Sequence, residues 1–304
     1  MGSRVLVVGL CLAVVFGRDM PRAQACPYCK ADAAGLAATA PPPADDADSF
    51  PVMLSGGLDF ASAYYFRGYL QADHGPIVQP YLNIFTAHTV NEDLIVRPYI
   101  SLFNSTHFAS DNRMSDMSDV MVGAVANWNG FLIDSRYAFY TTSPLMRTPV
   151  HELGAKVSFD VLSSLEDSEW NDSELLQHFT LRPFAGVYGD WIEEAGTVQA
   201  FVNVGVEPSW RFEVAGTKVG VGLPIDWGLG GNGYYFNNDG SNATLGYFST
   251  ALTASVALPV PDGYGQWFLN TSVQYLHLAA DSVQTVGNDD NDVCIGKIGM
   301  SFVY

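Results

Sequence analysis

The sequence predicts an all-β chain that closes as a transmembrane, antiparallel, up-and-down β-barrel of about 12 strands, with both termini periplasmic because the strand count is even. Three observations predict it. From Leu54 onward no window holds the i, i+3, i+4, i+7 spacing of an amphipathic helix, whereas apolar–polar alternation at period two recurs to the C-terminus. The alternating runs exceed the ~5–6 residues of globular strands and suit a tilted membrane span of ~9–11 residues plus ends. The connections alternate between tight turns and longer loops, as they do at the two ends of an outer-membrane barrel.

Ahead of the barrel, Arg4 precedes an uncharged run at 5–16, the length of a signal-peptide core and too short to span a bilayer. Ala23-Gln24-Ala25 offers a small-x-small cleavage site, so residues 1–25 read as a signal peptide. Residues 26–52, with Pro41-Pro42-Pro43 and Asp45, Asp46 and Asp48, read as an Ala/Pro/Asp-rich periplasmic leader, and 53–304 as the barrel. Cys26-Pro27-Tyr28-Cys29 has the C-P-Y-C form of glutaredoxin-like redox motifs but lacks the preceding βαβ context. Cys26 as a new N-terminus also suits lipidation, although Ala23 stands where a lipobox has Leu. A local Cys26–Cys29 disulfide or an inert tether is the plainer reading in an exported chain. Cys11 leaves with the signal, and Cys294 stands alone in a strand.

Twelve runs follow, at 54–67, 77–89, 94–106, 117–128, 130–141, 150–162, 178–191, 198–210, 217–228, 245–259, 266–278 and 293–304. The clearest extends to Val214: Val198, Ala200, Val202, Val204 and Val206 share one face, and Gln199, Asn203, Glu207, Arg211 and Glu213 the other. Asn91-Glu92-Asp93, Asn129-Gly130, Ala215-Gly216-Thr217 and Pro261-Asp262-Gly263 supply turn chemistry. The longer connections are 70–76, 107–116, 142–149, 192–197, 229–244 and 279–292; the acidic stretch 163–177 breaks the pattern by lengthening a short-turn connection. Tyr64, Phe66, Trp128, Phe131, Trp191, Trp210, Trp227 and Trp267 lie toward run ends, where interfacial girdles belong. A soluble sandwich is the competing all-β reading; run length and girdle placement favour the barrel. Ile298, Met300, Phe302 and the terminal Tyr304 alternate on one face, resembling the C-terminal signature that outer-membrane barrel assembly machinery recognises.

Composition agrees. Only 15% of the 304 residues are charged, against about 25% in soluble domains, while 48% are hydrophobic and 13% aromatic. The 14 cations are scattered and the net charge is −18, which argues against nucleic acid. Without the signal the chain carries 11 cations and 31 acids. Sorting charges by strand parity places nine acids on the wet face: Asp59, Asp119, Asp134, Glu152, Asp160, Asp190, Glu207, Glu213 and Asp226. Eight bases join them: Arg67, Arg97, Arg136, Lys156, Arg182, Arg211, Lys218 and Lys297. These are the candidate pore-lining residues, and they leave the lumen nearly neutral. Arg67 at the top of the first strand reads either as a lumen-facing functional group, with Gly68 turning the backbone into the first loop, or as one half of a stabilising ion pair. Tyr65, Tyr81, Tyr99, Tyr140 and Tyr188 share the wet face, as lumen filling or as a sliding surface for sugars or nucleosides.

The block Ser62-Ala63-Tyr64-Tyr65-Phe66-Arg67-Gly68-Tyr69-Leu70-Gln71, followed by Pro76-Ile77-Val78-Gln79-Pro80, resembles the opening S-x-Y-x-F-R-G-x-x-Q…P-x-x-Q pattern of the TorF porin family. The similarity covers roughly 55–160. It implies a bacterial outer-membrane channel of unassigned substrate; the cysteine leader and the acidic 163–177 insertion depart from it.

A porin-like channel for small hydrophilic solutes is therefore the leading expectation, its partners being outer-membrane lipid, assembly machinery and periplasmic chaperones. No enzyme activity and no cofactor are expected, since H-E-x-x-H, G-x-S-x-G and Walker patterns are missing from the sequence. The alternatives are a lipid-acting barrel enzyme of phospholipase or deacylase type, with His107 beside Ser105 and Asp111 as the best candidate, and a structural or adhesive barrel. Asp289-Asp290-Asn291-Asp292 lacks the spacing of a defined Ca²⁺ site.

Overall fold

A computed structural model describes residues 52–73, 75–108, 117–141, 149–161, 178–192, 197–261, 263–284 and 291–304. The expected signal peptide, most of the expected leader with Cys26 and Cys29, and all of the acidic 163–177 stretch lie outside these.

Twelve antiparallel strands form one closed ring. They are β1 Met53–Ala61, β2 Ile77–Phe85, β3 Leu94–His107, β4 Met117–Trp128, β5 Phe131–Thr141 and β6 Val150–Phe159. Then follow β7 Phe179–Ile192, β8 Thr197–Val214, β9 Thr217–Gly222 continued as Ile225–Gly230, β10 Leu245–Leu258, β11 Gln266–Leu278 and β12 Asp292–Val303. Each strand pairs with its neighbours in sequence, and β1 closes the ring on β12, Ser55 facing Val303 and Ala61 facing Lys297. Leu54 and Tyr304 exchange backbone bonds of 2.8 and 2.7 Å at that seam. Closure removes every free sheet edge, which an isolated hairpin or open sheet of this length would expose.

Period two becomes inside and outside. Along β3, Arg97, Tyr99, Ser101, Phe103 and Ser105 are buried in the bore, and Pro98, Ile100 and Leu102 are exposed. Around the ring the exposed set is apolar: Phe60, Ile100, Val122, Leu153, Val187, Leu252, Val273 and Ile298 among others. Trp128, Phe131, Trp191 and Trp227 are exposed on the outer wall as expected of girdle residues. Tyr64 and Phe66 are not girdle residues, for the first expected strand ends early.

β1 stops at Ala61. Tyr64–Phe66 and Tyr69–Ala72 form their own small hairpin, with Arg67 (φ 51°) and Gly68 (φ 84°) as its two turn residues. Two successive positive φ values make the type I′ turn whose twist suits a two-residue hairpin. Period two runs on through 54–67 because the hairpin arm is itself extended, so the alternation gives no sign of the break.

Asn129-Gly130 and Ala215-Gly216 adopt the same double positive-φ geometry at the other end of the barrel, between β4 and β5 and between β8 and β9. Gly130 at φ 82° is the residue such a turn requires. Gly130→Ala is expected to destabilise the barrel by about 1–2 kcal/mol, the cost of holding an L-residue there; urea titration of the refolded protein measures it, and an unchanged midpoint would contradict the turn geometry. Pro224 interrupts β9, where a residue without an N–H cannot complete the ladder.

Inward aromatic rings lie flat on the wall where the adjoining strand offers a glycine. A Cβ at Gly154 would overlap the Tyr188 ring, and one at Gly228 would overlap that of Tyr247. These rings fill the bore alongside a polar lining that includes Ser55, Gln79, Asn83, Ser101, Ser158, Ser249, Ser272, Gln274 and Ser301.

Candidate functional site

The hairpin at 64–72 folds into the bore and divides its loop end. Tyr64 packs on one side with Phe103, Met117 and Tyr140, while Tyr65 packs on the other with Tyr188, Phe201 and Tyr247. Two further loops close over it. Tyr235–Phe236 and Asn242–Ala243 pair within the connection from β9 to β10, and a single helical turn at Asp281–Gln284 lies between β11 and β12. The Tyr69 hydroxyl donates to Tyr234 O (2.7 Å), and the Tyr69 ring stacks on Tyr235 with centroids 5.9 Å apart. Phe236 N donates to Ser282 Oγ (3.2 Å) and Asn238 N to Asp281 Oδ2 (2.8 Å). Ser241 donates from its hydroxyl and its backbone to Asp239, which holds that carboxyl below the usual carboxylate range.

Arg67, at the tip of the hairpin, is the tie between loops and wall. Its Nη1 donates to Asp190 Oδ2 (2.7 Å) and to the Tyr234 hydroxyl (2.9 Å), and its Nη2 donates to Glu152. The guanidinium lies 4.2 Å from the centroid of Phe201 and 5.0 Å from those of Tyr188 and Phe66. Its carbonyl accepts from the Tyr235 hydroxyl (2.9 Å). Burial opposes the charge, but Glu152, Tyr234 and Asp190 around it outweigh burial and hold Arg67 well above its ordinary pKa. Burial, with Asp73 nearby, pushes the Tyr65 hydroxyl up to about 12.

On the wall the network continues. Arg136 Nε donates to Glu152 Oε1 (3.2 Å), Tyr140 donates to Glu152 (2.9 Å), and Tyr99 donates to Asp134 (2.8 Å), which also lies 3.9 Å from Arg136. Lys156 pairs with Glu207 (3.2 Å) and sits 4.1 Å from the Phe184 centroid; Lys297 pairs with Asp59 (3.5 Å). Thus Asp59, Arg67, Asp134, Arg136, Glu152, Lys156, Asp190, Glu207 and Lys297 are joined in ion pairs. Asp119 and Arg97 are also buried in the bore, with Arg97 Nε and Nη1 unpartnered among the described residues. Asp226 accepts from Tyr247 and Ser249. Arg182, Arg211, Glu213, Lys218 and Asp160 are half-buried toward the short-turn end. For Arg67 the ion-pair reading describes the contacts, but the residue stands on an inward loop and not on the barrel wall.

The expected tyrosines divide by depth. Tyr65 and Tyr188 belong to one loop-end cluster and Tyr140 to the other; Tyr99 lies in a separate cluster with Phe85, Val125 and Leu132. They do not form one continuous stripe. Tyr234, Tyr235 and Tyr247 complete the site and were not expected from the sequence; Gly233-Tyr234-Tyr235, a positive-φ glycine before paired aromatics, was the signal available.

His107 ends β3 opposite Ile77, and Ser105 accepts a hydrogen bond from Gln79 (3.1 Å); Asp111 lies outside the described residues. Asp289 and Asp290 lie outside as well, while Asp292 accepts from Tyr275 (2.6 Å) and bonds His277 Nδ1 (2.8 Å) on the exposed wall. The terminal residues expected as an assembly signature sit on β12 and just beyond it. There Ile298, Met300 and Tyr304 are exposed and Phe302 packs on Trp267 with centroids 5.2 Å apart.

No family model matches the sequence, and no curated protein matches it. Among solved structures, the chain is similar to the COG4313 outer membrane channel from Pseudomonas putida F1, with TM-score 0.43 and 11% identity over 86% of this chain and 100% of that one. It is similar to the translocator domain of the autotransporter NalP from Neisseria meningitidis, with TM-score 0.40 and 10% identity over 84% and 90%. The KdgM porin gives TM-score 0.40 and 6% identity over 82% and 98%.

Proposed function

We propose that this protein is an outer-membrane channel of porin type, passing small hydrophilic solutes through a charge-mixed bore whose loop end is closed by the 64–72 hairpin. One observation carries the reading: an apolar exterior encloses a polar, ion-paired interior, and an inward hairpin is tied across that interior by one arginine. An apolar outer band with a polar lumen is what a barrel needs in lipid. The short-turn end, carrying both Leu54 and Tyr304, faces the periplasm in this reading. The signal peptide, the aromatic C-terminus and the resemblance to the TorF family support the same location, with assembly machinery and periplasmic chaperones as partners on the way. In this reading the role is not enzymatic, which is supported by the pairing of most of the buried acids and bases with one another and by the hydrogen bond Ser105 accepts from Gln79.

Single-channel recording of refolded protein in a planar bilayer tests this. Conductance steps from the wild type or from Arg67→Ala are the expected result; their absence from both overturns it. Because most of the wall charges are paired and the lumen acids and bases nearly balance, cation preference is expected to be weak and set by acids at the mouths. Neutralising Asp239 and Asp281 should move the reversal potential toward zero, and strong selectivity that survives the change would contradict a balanced lumen.

A further inference from the structure

Against the inner side of the hairpin the bore holds a cavity of about 160 Å³. That is room for on the order of ten water molecules, and so for a solute of roughly six to nine non-hydrogen atoms. The charged side chains that line it are Arg67, Arg136, Lys156, Lys297, Glu207 and Asp226. Four of these are engaged: Arg67 with Glu152 and Asp190, Lys156 and Glu207 with each other, and Lys297 with Asp59. Arg136 and Asp226 keep open capacity. Of the Arg136 guanidinium only Nε has an acceptor at hydrogen-bond distance among the described residues, Glu152 Oε1 at 3.2 Å. Its Nη1 lies 3.9 Å from Asp134 Oδ2, and neither Glu152 nor Asp134 lines the cavity. Both terminal amino groups keep accessible surface, and the Tyr188 ring stands 5.0 Å from the guanidinium centre. Asp226 is half-buried and accepts from Tyr247 and Ser249, with no cation at ion-pair distance among the described residues. A carboxylate offers about four lone-pair sites, so about two remain open. Lys156, which acts on Asp226 from farther away, is held by Glu207. An open guanidinium edge and an unpaired carboxylate thus face one cavity, and a guest that carries both opposite charges satisfies the two together.

We propose that this cavity binds one small zwitterion, an α-amino acid, whose carboxylate accepts from the Nη1 and Nη2 groups of Arg136 and whose ammonium donates to Asp226. A guest with a carboxylate alone leaves Asp226 unmatched and adds a third negative charge beside Glu207 and Asp226. One with an ammonium alone leaves the Arg136 edge open and adds to the four cations of the lining. A neutral polyol matches neither group with charge, whereas the zwitterion matches both and breaks no ion pair. The site rests on the channel reading for the solute's route to the bore.

Calorimetric titration of the full-length mature protein, refolded in detergent, with L-alanine, L-lactate, L-alaninamide and L-lactamide at neutral pH tests it. The four probes share one size and shape and differ in which charges they carry. Saturable binding of alanine, at least about tenfold tighter than any of the other three, is expected, since each lost charge removes a charge-assisted hydrogen bond. Asp226→Asn should narrow the alanine-to-lactate ratio about tenfold, and Arg136→Gln the alanine-to-alaninamide ratio by as much. A general loosening of the bore would weaken all four probes and leave those ratios where they were. No alanine binding, alanine bound no tighter than another probe, or a ratio unchanged in either variant overturns the site. Should a variant fail to refold, the wild type's discrimination among the four probes decides. Conductance steps without alanine binding would remove the site and leave the channel; alanine binding without conductance in any variant would do the reverse.

Discussion

Arg67→Ala is expected to raise the unitary conductance of the reconstituted barrel severalfold and to make the open level noisy. The hairpin is anchored in the bore chiefly through this side chain, by bonds to Asp190, Glu152 and Tyr234 and by the ring faces of Phe201 and Tyr188. Hydrogen bonds to charged groups contribute about 1.5–3 kcal/mol each, and removing one partner of a buried pair costs about 3–5 kcal/mol. After truncation Glu152 keeps Arg136, but Asp190 keeps, among the described residues, the Tyr234 hydroxyl alone. Other ties of the hairpin, among them Tyr235 to the residue-67 carbonyl, Tyr69 to Tyr234 and Tyr64 to Met117, are neutral bonds of about 1 kcal/mol or less. The balance therefore moves toward hairpins that leave the bore. Arg67→Lys should give an intermediate conductance, since an ammonium restores charge without the planar fork. A folded Arg67→Ala barrel with wild-type conductance would mean that the hairpin is held by its apolar packing alone.

Gly154→Val is expected to be strongly damaging to the wall. The Tyr188 ring occupies the space a Cβ at 154 would need, and it lies 5.0 Å from the guanidinium centres of both Arg67 and Arg136. Overpacking costs about 1–3 kcal/mol, and displacing this ring loosens two cations of the network besides. The urea midpoint should fall strongly or refolding should fail. Gly154→Val with Tyr188→Ala should recover most of the loss, because the clash and its partner go together. If the double variant is worse than Gly154→Val alone, the ring and the glycine are not acting as a pair.

The wall was legible in the sequence because its physics is local. A strand between lipid and a wet bore must alternate, so parity assigned Asp59, Asp134, Glu152, Lys156, Asp190 and Glu207 to the interior, where they lie. Tight turns were legible for the same reason, Asn129-Gly130 being a dipeptide with one favoured geometry. The hairpin was not. Residues 62–67 alternate as β1 does, and nothing at period two separates an arm that continues a wall from an arm that leaves it. Phe66-Arg67-Gly68-Tyr69, a residue–glycine pair between two aromatic runs, held the signal for a turn. The partners of Arg67 lie 85, 123 and 167 residues away, a separation at which no local pattern speaks.

The seam between Leu54 and Tyr304 has a bearing on how the molecule is made. The bonds that shut the ring join β1 to β12, so a barrel that lacks β12 leaves this ring open. Every truncated product carries two bare edges, with rows of amides and carbonyls open to any passing strand. Closure spans some 250 residues of chain, and contacts so distant in sequence form late. Closure of the ring therefore waits on the arrival of β12 beside β1. A premature stop upstream of β12 is expected to yield an open sheet prone to pair with other strands, not a sealed pore.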